Sequence, residues 1–253
     1  MSESPQSAQD TFISHLIELR SRLVKAAVVV LAITGLILLW PGPAAIYDLL
    51  ARPMMASLPA GSKMIATGVI SPFIIPMKIA LLVGFILSLP WVLYQAWAFI
   101  APGLYAHEKR LVAPLVISSS MLFIAGVAFC YFFVFGKVFA FINEFAPQSI
   151  MVAPDIENYL DFVMTMCLAF GLSFEVPVVV MILVRTGMVS LEKLKAIRSY
   201  VIVGAFVVSA IVTPPDIMSQ LFLAIPLCLL YELGLLLAPL FARVTRTPES
   251  ETE

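Results

Sequence analysis

Six apolar segments set the limits on what this chain can become. They run roughly Leu23–Trp40, Ile70–Ile100, Leu111–Ile142, Tyr159–Val184, Tyr200–Thr213 and Met218–Leu240. A soluble fold of this size has too little interior to hide them, so the bilayer must be part of the solvent. Hydrocarbon offers no water to an open backbone group, and each segment must therefore be helical. The expected fold class is an all-α polytopic membrane protein with six transmembrane helices. Composition agrees: 61% of residues are hydrophobic and only 12% charged, about half the charged share of soluble domains. A net charge of −1 gives no basic field for nucleic acid. The first twenty residues lack an apolar signal-peptide core, and the first run is long, so it reads as a retained span.

Basic residues orient the spans. Arg20, Arg22, Lys25, Lys109, Arg110, Arg185, Lys193, Lys195, Arg198, Arg243 and Arg246 fall on one side, against Arg52 and Lys63 on the other. That asymmetry puts both termini in the cytoplasm. The second span carries Pro72, Pro76 and Pro90 and is expected to bend. The fifth span reaches only roughly 21 Å at 1.5 Å per residue, against a core of about 30 Å. The sixth, apolar only as far as Tyr231 before Glu232, is expected to be similarly short. The first external loop should hold an amphipathic helix, with Ile46, Leu49, Leu50 and Met54 on one face, broken near Pro53. The second, about 143–158, contains Pro147 and Pro154 and should form a turn or short helix. Residues 1–240 are expected to make one six-span domain, and 241–253 a disordered cytoplasmic tail.

Few residues offer chemistry. Cys130, Cys167 and Cys228 are isolated in apolar runs and suggest neither a disulfide framework nor a metal site. "GLSF" (171–174) has the outline of an intramembrane serine-protease motif, but no histidine lies in any span to act as its base. No enzyme and no cofactor are expected. Glu175 sits in "FGLSFEVP", where a charge costs a few to more than ten kcal/mol, depending on water access. It is either protonated, open to water, or matched by a polar partner such as Lys78. Pro177 cannot donate to the Ser173 carbonyl, so this stretch is a polar site at a kink. Glu108 in "LYAHEKRL" lies near Trp97, Phe99 and Tyr105, an acidic spot beside an aromatic platform that could receive a guanidinium. In "HLIELRSRL", Glu18 either pairs locally with Arg22 or adds a second carboxylate to that face. In "TPPDIMSQ", Asp216 can cap the sixth helix and Gln220 can bond a neighbouring one.

Together "HLIELRSRL", "ISPFIIPMKIA", "LYQAWAFIAPGLYAHEKRLV", "FGLSFEVP" and "GAFVVSAIVTPPDIMSQ" resemble the TatC family, the large multispanning subunit of the twin-arginine protein translocase. The likeness runs over about residues 12–240. It implies a cupped sheet of helices in the cytoplasmic (inner) membrane of a bacterium, with Glu175 facing the hollow. It implies a receptor and scaffold that binds twin-arginine signal peptides at the cytoplasmic face and exports folded proteins on the proton gradient. The chain itself lacks a G-x-x-x-x-G-K-[ST] nucleotide loop. On the family pattern, recognition falls to Glu108 and Phe99, with Glu18 and Arg20 from the N-terminal element. The outer cap matches Pro53. Thr213 and Gln220 would dock single-span subunits of the TatA/TatB type, and self-association would follow. Ala106 stands where some relatives carry a lysine. A rival class is an ion-coupled small-solute transporter with Glu175, Lys78 and Asp161 in its pathway, but no matched pair of broken helices supports it.

Overall fold

The computed structural model describes residues 5–57, 64–100, 112–145, 153–213 and 216–242. Helices follow in the order α1 (Pro5–Leu39), α2 (Pro43–Ser57), α3 (Ser71–Ile100), α4 (Val112–Phe129), α5 (Phe135–Phe145), α6 (Ile156–Phe174), α7 (Val176–Arg185), α8 (Leu191–Ala196), α9 (Arg198–Val212) and α10 (Ile217–Ala242). Among the described residues the only β pairing is an isolated bridge between Ile65 and Asp155. Among the described residues, five stretches are long and apolar enough to cross a membrane: Ile13–Leu39, Ser71–Phe99, Ala113–Ile142, Ile156–Arg185 and Ile217–Pro239. The helix α9 is apolar but shorter. Large apolar side chains such as Leu31, Phe132 and Ile211 point outward, while Ser119, Ser209 and Ser219 are fully buried. Lipid as solvent permits this inverted pattern.

The sixth span differs from its expected length. The sequence predicts an apolar reach only as far as Tyr231, yet α10 continues to Ala242. Arg198 explains the difference, because its guanidinium reaches Glu232 Oε2 at 2.8 Å. The charge is matched where α9 begins, so Glu232 does not end the helix. Only the fifth span is short.

Contacts sort into two compact units, residues 1–47 with 76–120 and residues 48–75 with 121–253. In the first, α1 lies along α3. The His15 and Phe99 rings stack with centroids 4.3 Å apart, and Trp91 Nε1 donates to the Lys25 carbonyl at 3.2 Å. A Cβ at Gly84 would press on the Thr34 side chain and come within 3.1 Å of its backbone. Glycine is what lets the two helices approach there. Trp97 Nε1 donates to Ser119 Oγ at 3.1 Å, tying α3 to α4.

The second unit is built on stacked aromatic rings. Phe135, Phe139 and Phe162 sit with centroids 5.6–5.9 Å apart, a spacing at which ring pairs attract. Gly171 leaves room for the Phe123 ring, which a Cβ would strike. Between α4 and α5 a π-helical turn, Cys130–Val134, closes with the Phe135 amide donating to the Cys130 carbonyl. The third span is thus continuous with one wide turn inside it.

Pro53 does not break α2, contrary to the sequence expectation; the helix runs through it. A proline there cannot donate to the carbonyl of Leu49 and crowds it. Tyr131 takes the vacant role, its hydroxyl donating to the Leu49 carbonyl at 2.6 Å. Tyr159 does the same for Leu50 at 2.7 Å. Each hydroxyl should contribute about 1 kcal/mol. We expect Tyr131→Phe and Tyr159→Phe each to speed amide exchange in α2 by about fivefold relative to α6, the factor for that energy. Unchanged protection of α2 would refute the assignment.

Candidate functional site

The chemistry falls at separate places. At one end of the first unit, Glu18 Oε1 accepts from Arg22 Nε at 2.8 Å and Nη2 at 2.6 Å. Arg22 Nη1 also makes a long 3.4 Å contact with Gln95 Oε1 on α3. Both strong bonds fall on one oxygen, and Oε2 accepts nothing from the described residues. The carboxylate is oriented by a guanidinium yet keeps half its acceptor capacity. His15, one turn before Glu18, stacks on Phe99, so Phe99 and Glu18 share one side of α1. Arg20 is exposed; two residues on from Glu18, it faces away from that side. Glu108 and Ala106, the stretch around Pro147 and the tail from 243 onward lie outside the described residues.

Lys78, on α3 in the first unit, is half-buried. Glu175 belongs to the second unit and is 6% exposed. It sits between α6 and α7 with φ −76° and ψ −16°, and its amide turns back to the Leu172 and Ser173 carbonyls. Pro177 follows at the start of α7, so the missing donor read from the sequence coincides with the break between helices. The α7 arm then packs closely on α10, where a Cβ at Gly234 would lie 3.0 Å from Pro177 Cα.

The α9–α10 hairpin holds the other polar residues. Asp216 caps α10, its Oδ1 accepting from the Ser219 amide at 2.7 Å. Gln220 Nε2 donates to the Phe206 carbonyl on α9 at 3.3 Å. Thr213 is buried, and its hydroxyl donates to the Ser209 carbonyl at 2.8 Å.

A clasp unforeseen from the sequence closes the same end of this unit. The Ile65 amide donates to the Pro154 carbonyl at 3.0 Å, and the Ile156 amide to the Ile65 carbonyl at 2.8 Å. Asp155 Oδ2 accepts from the Thr67 hydroxyl at 2.6 Å and its amide at 3.0 Å. Oδ1 caps α6 through the Glu157 and Asn158 amides. Ser71 Oγ adds a 2.6 Å bond to Glu157 Oε2. An acidic residue just before a helical run was the one sequence signal for this cap.

These features define a polytopic helical membrane protein whose polar groups cluster at helix ends and at one intramembrane hinge. The family model described as Sec-independent protein translocase protein (TatC) matches residues 14–226. The TatC protein of Escherichia coli K12 is 48% identical over 96% of this chain and 94% of its own length. That of Halothiobacillus neapolitanus is 47% identical over 96% of this chain, which spans 66% of that relative. A crystal structure of a twin arginine translocase receptor, TatC, superposes with a TM-score of 0.79 at 38% identity, covering 90% of this chain and all of the other. The chain belongs to the TatC family, a translocase component and not an enzyme.

Asp155 yields a pH test of the clasp. The Thr67 hydroxyl first, then the Asn158 amide, hold its carboxyl at about 2, against an ordinary 3.8. The folded state therefore favours the ionised form. Its stabilisation is complete above about 4 and is lost as pH falls through about 2. A carbon-13 carboxyl titration should place Asp155 near 2, and higher in Thr67→Val. A wild-type midpoint close to 3.8 would dissolve the clasp.

Proposed function

We propose that this protein is the signal-peptide receptor and scaffold of a twin-arginine translocase. It sits in a bacterial inner membrane with both termini cytoplasmic, an orientation supported by the charge asymmetry of its loops. Twin-arginine signal peptides of folded cargo bind through Glu108 and Phe99, aided by Glu18 and Arg20. The observation that carries this reading is the Glu18 carboxylate, which already receives two guanidinium donors from Arg22 through one oxygen. Its second oxygen and the neighbouring Phe99 ring suit an arginine from outside: a carboxylate binds the fork and an aromatic face stacks on it.

Thr213 and Gln220 form the docking point for single-span subunits of the TatA/TatB type. Their setting supports this: Thr213 ends the short fifth span and Gln220 reaches back to it from α10, and polar groups beside a thin apolar segment attract partner helices. Glu175 and Lys78 supply polar contacts within the membrane. Buried charge is expensive there, so its presence supports a functional role. Pro53, within α2, and Asp216 serve the outer cap. Copies of the chain associate, and the proton gradient drives export.

Photocrosslinking from position 99 tests recognition. A twin-arginine peptide should label strongly and its Lys-Lys counterpart weakly. Glu108→Ala should weaken peptide binding by at least about 2 kcal/mol, the scale for unpairing a charged hydrogen bond. Equal labelling by the two peptides would defeat this function.

A further inference from the structure

A cavity of about 470 Å³ opens in the second unit, beside the start of α6. Its size falls within the span of about 300–1,000 Å³ usual for small-molecule sites. Met54, Val138, Phe139, Ile142 and Phe162 make its apolar walls, and Asp155, Asn158 and Asp216 its polar lining. Ser219 also lines it.

Ser219 is the unusual member. It is 0% exposed, and its Oγ has no hydrogen-bond partner among the described residues. The other buried serines have partners: Ser120, Ser173 and Ser209 donate to the carbonyl four residues back, all at 2.7 Å, Ser88 to that of Phe85 and Ser71 to Glu157, while Ser119 accepts from Trp97. A buried hydroxyl with nothing to bond is destabilising, so a ligand atom is the natural complement.

Charge narrows the ligand. Among the described residues, the lining has two carboxylates and no lysine, arginine or histidine. Asp155 is ionised over the whole physiological range, and Asp216 has committed only Oδ1 to the helix cap. The occupant should be apolar along its body and cationic at its head. Ile142 ends one membrane-crossing stretch, and Asp155 and Asp216 each immediately precede another, so the polar lining lies at the level where lipid headgroups sit.

We propose that this cavity binds a phospholipid with an amine headgroup. One acyl chain lies among Phe139, Ile142 and Phe162. The Ser219 hydroxyl turns to donate to an ester carbonyl, and the ammonium meets the open Oδ2 of Asp216, beside the already committed charge of Asp155. Asp216 and Ser219 are one turn apart on α10, about 5 Å, which suits a head and the ester linkages beneath it. The site is independent of signal-peptide recognition at Glu18.

Native mass spectrometry tests it, using the full chain released from nanodiscs of equal phosphatidylethanolamine and phosphatidylglycerol. The wild-type protein should retain phosphatidylethanolamine about tenfold over phosphatidylglycerol, a ratio within reach of one charge-assisted contact. Ile142→Trp, which fills the cavity from a half-exposed position, should lose most of that lipid. Asp216→Asn, which keeps a capping side chain, should retain lipid with the preference reduced toward equality. Equal retention of both lipids by wild type would overturn the proposal. So would undiminished lipid on a folded Ile142→Trp, or no retained lipid at all, which would leave the cavity to a protein partner. Should Ile142→Trp fail to give a monodisperse protein, the preference of Asp216→Asn decides: a wild-type ratio contradicts the site.

Discussion

In hydrocarbon, an open carbonyl or amide has no water to bond, and the rest of this structure answers to that constraint. The chain nevertheless places Pro76 and Pro90 in α3 and Pro226 and Pro239 in α10, and Pro53 in α2 outside the crossing stretches. Each removes a donor from the helix ladder. At Pro53 two tyrosine hydroxyls from other helices serve the Leu49 and Leu50 carbonyls. At Pro177 the chain ends one helix and starts another, with the Glu175 amide folded back on Leu172 and Ser173. The same economy governs side chains, since most buried serines and threonines bond a carbonyl of their own helix. Ser219 stands apart from that habit, which is why it points to a ligand.

Much of the architecture was legible because lipid simplifies the code. Apolar runs and a proline sufficed to find the long helical stretches and the break at Glu175. What escaped was long-range pairing. Nothing near Pro53 reveals that Tyr131, 82 residues beyond Leu49, and Tyr159, 109 residues beyond Leu50, will serve its helix. The clasp joins Thr67 to Asp155 across 88 residues. The π turn at Cys130–Val134 has no sequence mark, since a helix widens there to suit packing and not propensity. Glu232 interrupts the apolar run of the sixth span in sequence because its partner Arg198 lies on another helix.

Site residues were legible as chemistry more than as geometry. Glu18 was open to two readings, a local pair with Arg22 or a free acidic group. The structure combines them: the pair forms, on one oxygen only. Phe99 reaches the same side of α1 through His15, a contact that spacing alone could not supply. Arg20, itself cationic, lies on another side of the helix. Thr213 and Gln220 each hydrogen-bond a backbone carbonyl of the α9 hairpin arm, so a docking subunit would meet groups already ordered.

A pair of carboxylates receiving paired guanidinium groups at the membrane surface is the heart of this account. The direct trial is transport itself: replace Glu18 and Glu108 together by glutamine, confirm insertion and assembly, and measure delivery of a folded twin-arginine cargo. The account predicts that delivery stops while the protein remains in the membrane. Delivery at the wild-type rate would contradict it.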